Sequence, residues 1–195
     1  VNVAVFGSGR GSNFQAILAA MQDGRVEGVT ISLVVSNNSK AGILEIARAH
    51  AIPALHISQK QYSSEEQYTD ALLALLRERA VECIVLAGYM KRIPARLVEA
   101  YRGHMMNIHP ALLPKFGGEG MFGIHVHEAV LAAGERESGA TVHLVDEEYD
   151  HGKILLQEKV PVLPEDTPED LAARVLAVEH RILPEALRRF AASIH

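Results

Sequence analysis

Asn107 and His109 stand two positions apart in Asn107-Ile108-His109-Pro110, and Ala111-Leu112-Leu113-Pro114 follows. In an extended strand, side chains at that spacing leave the same face. The amide could then donate to a carbonyl oxygen while the imidazole exchanges a proton at the same atom. Pro110 cannot extend a sheet ladder, so it ends the strand and presents both groups in a loop. An isolated Asn-x-His pair is more often structural than reactive. Chemistry therefore needs partners elsewhere in the chain.

Three other segments supply candidates. Gly7-Ser8-Gly9-Arg10-Gly11-Ser12-Asn13 follows an apolar strand pattern and opens a helical one, so its bare amides and the helix N-terminus favour a phosphate. It is a poor dinucleotide fingerprint, because Ser12 takes the third small position and the next strand ends in Ser36-Asn37-Asn38 without a ribose-binding acid. Nor does the Gly-Lys-Ser/Thr of a Walker loop follow. Asp146-Glu147-Glu148-Tyr149-Asp150-His151-Gly152 lacks the alternating ligands of a calcium loop. One of its carboxylates is expected to approach His109, favour imidazolium and raise its pKa. Gly117 to Gly123 has the glycine density of a mobile lid. His125 and His127, with His143 or His151, suggest zinc, but residues two apart do not share a helical face, and no metal is assigned.

The elements that must position these groups alternate. Short apolar blocks at Val3–Phe6, Ile31–Val35, Ala54–Ile57 and Ile84–Ala87 read as strands, separated by helical patterns at Asn13–Met21, Ala41–His50 and Tyr68–Arg79. Ser64 and Gln67 resemble a capping box for the third helix. This alternation predicts an α/β fold, a Rossmann-like, mostly parallel twisted sheet with helices on both faces. Beyond His109 the pattern changes to a short helix near Val126–Ala133 and strands at Ala140–Val145 and Ile154–Val162, paired outside the first half. Thr167 caps a long last helix that opens with Pro168 and early acids. One domain over 1–195 is expected, with a phosphate-binding half to about residue 100 and a catalytic half after it.

Composition narrows the partners. A net charge of −5 and no basic run argue against a nucleic-acid grip. Cys83 is the sole cysteine and lies in an apolar run, which suits a reducing, cytoplasmic setting. No apolar run approaches the roughly 20 residues of a membrane helix, and the first residues read as a strand instead of a leader.

Over nearly the full length, the chain resembles the glycinamide ribonucleotide formyltransferases, folate-dependent enzymes of purine synthesis. Ser8-Gly9-Arg10-Gly11-Ser12-Asn13 resembles the family's phosphate loop and Leu86-Ala87-Gly88-Tyr89-Met90 its folate strand. Asn107 to Pro114 resembles its catalytic signature, and Val142 to Val145 with Asp150-His151-Gly152 its second catalytic segment. Glu179-His180 falls within its C-terminal helix motif. Glu65, Lys91-Arg92 and His104 depart from forms of the family around the folate tail and before the catalytic strand.

The resemblance implies the formyltransferase fold and transfer of a formyl group from 10-formyltetrahydrofolate to glycinamide ribonucleotide, without a metal. It implies catalysis by Asn107, His109 and Asp150, with phosphate held by Gly11, Ser12 and Asn13 and the glycinamide end met by Glu179. The folate would lie against Met90, Lys91, Arg92, Ile93 and Asn107, and against Asp146, Glu147, Glu148, Tyr149 and Asp150. A monomer or homodimer is expected. Methionyl-tRNA formyltransferase and formyltetrahydrofolate deformylase share the catalytic trio, but each is expected to need an extra domain. A noncatalytic phosphosugar-binding module would need the glycine loop alone.

Overall fold

The computed structural model describes residues 1–194. Seven strands form one sheet in the order β3-β2-β1-β4-β5-β6-β7. Strands β1 (Asn2–Phe6), β2 (Thr30–Ser36), β3 (Ala54–His56), β4 (Cys83–Leu86) and β5 (Met105–His109) run parallel. Their side chains alternate between two cores, as the strand period of two requires. Val3, Val5, Cys83 and Val85 face α1 (Ser12–Gln22), α2 (Gly42–Ala49), α5 (Ile124–Ala132) and α6 (Pro168–Ser193). Ala4, Phe6, Ile84 and Leu86 face α3 (Glu65–Glu78) and α4 (Ala95–Ala100). A strand covered on both sides must be apolar throughout, which is why these blocks read as continuous runs. Cys83 is fully buried between β1 and β5.

β6 (Glu137–Leu144) and β7 (Ile154–Pro161) extend this same sheet, β6 antiparallel to β5 and β7 antiparallel to β6. They add to the sheet that starts in the first half instead of forming a separate one. The segment Met90–Ile93 is loop, since β4 ends at Leu86, and α4 is too short to leave a periodic signature. Only half of the expected capping box closes at α3: Ser64 accepts from the Gln67 N–H, while the Gln67 side chain takes the Ser63 hydroxyl. At α6 both halves close, between Thr167 and Asp170. Among the described residues, no helix is long and apolar enough to cross a membrane.

The strand order reverses between β1 and β4, where the loops leaving their carboxyl ends diverge and open a crevice. Ser8 ties the two loops together: its N–H donates to the Gly88 carbonyl (3.0 Å), and its hydroxyl accepts from the Met90 N–H (2.8 Å). Asn107 and His109, at the carboxyl end of the neighbouring β5, border this crevice.

Candidate active site

β5 places Asn107 and His109 on one face, and the antiparallel register of β6 sets His143 directly opposite Asn107. Asp150, on the loop between β6 and β7, reaches both. Its Oδ1 lies 3.4 Å from Asn107 Nδ2 and 3.4 Å from His143 Nε2, and its Oδ2 lies 3.4 Å from His109 Nδ1. The Gly118 N–H donates to Oδ2 at 3.1 Å. Asp150 achieves this from a left-handed backbone at φ 54°, an uncommon conformation for a residue with a Cβ. Gly152 follows because an added Cβ would stand 1.7 Å from the Leu144 carbonyl oxygen. The Asp-x-Gly spelling is thus a packing requirement of the β6–β7 turn.

The tautomers follow from the partners. His143 Nδ1 lies 2.9 Å from the Leu144 carbonyl, which can only accept, so Nδ1 carries a proton; in the neutral ring Nε2 then accepts from Asn107 Nδ2 at 3.1 Å. His109 Nε2 donates to the Phe116 carbonyl at 2.8 Å, leaving Nδ1 toward the Asp150 carboxylate. That geometry suits an imidazolium, but His109 is 3 % exposed. Burial holds its pKa below the ordinary imidazole value, with His143 acting the same way, while Asp150 and the Phe116 carbonyl push it up. Asp150 therefore acts in the expected direction, yet the net shift is downward because desolvation outweighs it. For Asp150 itself burial pushes upward, but His143, His109 and the Gly118 N–H together hold it below the usual carboxylate range.

Two hollows meet at these residues. A cleft of about 550 Å³ runs from Asn13 and Glu179 past Ile108 and His109 to the Gly118–Ile124 segment. A narrower slot is walled by Leu86, Ile93, Val98 and Val145 and rimmed by Asp146 to Asp150. Asn107, Tyr149 and Asp150 line both. At the cleft's far end α1 begins after Gly11, with φ 83° and no side-chain cap, so its first N–H groups stay available. Asn13 Nδ2 donates to Glu179 Oε1 at 3.1 Å, and burial pushes the Glu179 carboxyl up to about 7.

A sequence profile described as formyl transferase matches residues 1–187. The chain belongs to the formyl transferase family. It is 47% identical over 95% of its length to a chloroplastic phosphoribosylglycinamide formyltransferase of Arabidopsis thaliana, spanning 63% of that protein. To the phosphoribosylglycinamide formyltransferase of Escherichia coli it is 38% identical, covering 98% of this chain and 87% of that one. The crystal structure of glycinamide ribonucleotide transformylase 1 from Symbiobacterium toebii superposes with a TM-score of 0.92 at 39% identity, over 99% of this chain and 88% of that one.

Asn107, His109 and Asp150, the trio the resemblance implies, lie together around the Asp150 carboxylate. Lys91, Arg92, Ile93 and Asp146 to Asp150 surround the slot, whereas Met90 turns into the larger cleft and is half exposed. Asn13 and Glu179 line the cleft; Gly11 and Ser12 stand behind Asn13 without lining it. Asp146 is turned away from His109 and pairs with His151 at 2.8 Å. Among the described residues no three His, Cys, Asp or Glu converge as metal ligands. Sequence reasoning missed Ser8 as the tie between loops and His143 as the partner of Asn107. The β5–β6 register that reveals His143 leaves no local signal.

Proposed function

We propose that the chain transfers the formyl group of 10-formyltetrahydrofolate to the amine of 5'-phosphoribosylglycinamide, a step of purine synthesis. The observation that carries this reading is the junction of an anion-favouring cleft and an apolar slot at one buried Asn-His-Asp group. The uncapped start of α1, with Gly11, Ser12 and Asn13, would hold the phosphate. Glu179 would meet the glycinamide end. The slot's apolar walls and the polar rim from Asp146 to Asp150 suit a flat heteroaromatic ring, so the folate would lie there with Met90 to Ile93 along its length.

The amine nitrogen attacks the formyl carbon, and the carbonyl oxygen becomes an oxyanion. Asn107 Nδ2 donates to it, exchanging one of its contacts with His143 and Asp150, and protonated His109 donates beside it. The carbon–nitrogen bond to the folate then breaks. The imidazolium gives its Nε2 proton, released from the Phe116 carbonyl, to the departing folate nitrogen, and the neutral ring then takes up the proton lost by the amine, with Asp150 stabilising the charged form of the ring.

The test is turnover of both substrates followed by mass spectrometry. The expected product is formylglycinamide ribonucleotide with an equal amount of tetrahydrofolate. Formate release without a need for the ribonucleotide would overturn the reading in favour of a deformylase, and ribonucleotide binding without turnover would favour a phosphosugar-binding module.

A further inference from the structure

His127 stands in the first turn of α5, is 4 % exposed, and lines the larger cleft, which Asn13 and Glu179 also line. It does not border the apolar slot. Its Nδ1 is fully buried without a partner among the described residues. Nε2 hydrogen-bonds no other described residue and is not one of the sealed-off atoms, so it is the nitrogen that meets the cleft. The two neighbouring imidazoles differ: both ring nitrogens of His109 and of His143 face polar protein groups. A histidine retained for structure would satisfy its nitrogens within the protein.

The sealed nitrogen fixes the tautomer. A buried N–H without an acceptor is rarer than a lone pair without a donor, so the proton belongs on Nε2. Burial holds the ring below the ordinary imidazole pKa, and His109 acts the same way, so the ring is neutral at neutral pH. His127 thus offers the cleft a neutral imidazole donor at a position that does not border the folate slot.

We propose that His127 Nε2 donates a hydrogen bond to a carbonyl or hydroxyl oxygen of the amine substrate, a phosphoribosylated amide, and so selects for that substrate. This rests on the function proposed above. His127 is a specificity residue and takes no proton in the reaction.

The test compares His127→Phe, which keeps the ring and removes the donor, with His127→Gln, whose terminal amide nitrogen lies near the position of Nε2. In His127→Phe the KM for glycinamide ribonucleotide should rise about tenfold, as for loss of one desolvated hydrogen bond. Its kcat and the KM for the formyl donor should stay within about twofold, and His127→Gln should recover most of the loss. In the wild-type protein, 15N NMR should show the Nε2–H tautomer, with a shift on adding the ribonucleotide alone and none on adding folate. That arm holds even if a variant fails to fold. An unchanged ribonucleotide KM in His127→Phe would overturn the inference, as would an Nδ1–H tautomer or equal losses in both variants matched by lower melting temperatures. Absence of wild-type turnover would overturn the proposed function and this inference with it; normal wild-type turnover with indifferent variants overturns this inference alone.

Discussion

Asp150 gathers Asn107, His109, His143 and the Gly118 N–H around one carboxylate, and its loss should be felt by all four. Asp150→Asn removes the charge that favours imidazolium, so the His109 pKa should fall further below the ordinary value and kcat should drop by about 10²-fold or more. Asp146→Asn should change kcat by less than about threefold, because Asp146 pairs with exposed His151. NMR titration of His109 in both variants, beside pH–rate profiles, checks this; a near-normal kcat in Asp150→Asn would refute the pair. Spacing alone leaves open which carboxylate of the 146–150 loop approaches His109; the resemblance implies Asp150, and the turn geometry brings that residue to the imidazole while Asp146 pairs with His151. Glu179 carries a different cost. With its carboxyl at about 7 against an ordinary 4.5, the native state binds more protons than the unfolded state between those values. Stability should therefore fall as pH rises through that window, by up to about 3 kcal/mol in total. Glu179→Gln should be more stable than wild type in urea at pH 8, with the gain shrinking toward pH 5, while the ribonucleotide KM rises. A gain independent of pH would show that the carboxyl does not titrate in this way.

At the scale of elements, β5 carries Asn107 and His109, a loop brings Asp150 to them, and glycines let the loops pass close to the sheet. A Cβ at Gly152 would strike the Leu144 carbonyl, so Gly152→Ala should displace the turn that holds Asp150, lowering stability by about 2 kcal/mol or more and kcat with it. Urea midpoints and turnover measured on the same preparation test the link. Gly11 is equally constrained, since a Cβ there would lie 2.9 Å from Ile43 Cα; substituting it would confuse binding with folding. Ser12 separates them. Ser12→Asp puts a negative charge on the first turn of α1, where the helix dipole favours it, so the melting temperature should hold or rise. The same charge should repel a phosphate and raise the ribonucleotide KM about tenfold or more. A KM that does not move would place the phosphate elsewhere. Most of these elements are legible in the chain, because apolar blocks at strand length and caps such as Thr167 act locally. The β5–β6 register, the six-residue α4 and the Ser8–Met90 bridge are set by contacts between distant segments, and local pattern does not encode those.

At the scale of the whole molecule, the parallel strands bring the loops after β1, β4 and β5 to one end, while the antiparallel register of β6 sets the β6–β7 turn beside the start of β5, from which Asp150 reaches back to Asn107 and His109. The alternation of strands and helices foretells the parallel part. That β6 and β7 would continue the same sheet depends on which edge stays open after β5, a property of the assembled fold. Cys83 lies in β4, at the centre of this sheet, and burial pushes its thiol up to about 12. A thiolate-seeking reagent can reach it only when β4 leaves its neighbours β1 and β5, which amounts to opening the whole parallel core. The lone sulfur is thus a stopwatch for global unfolding that runs in ordinary buffer. Alkylation followed by intact-mass measurement should be slow, and urea should quicken it with the slope of the full unfolding transition. Glycinamide ribonucleotide should retard it by the factor one plus concentration over Kd, which would weigh the substrate's grip without a single turnover.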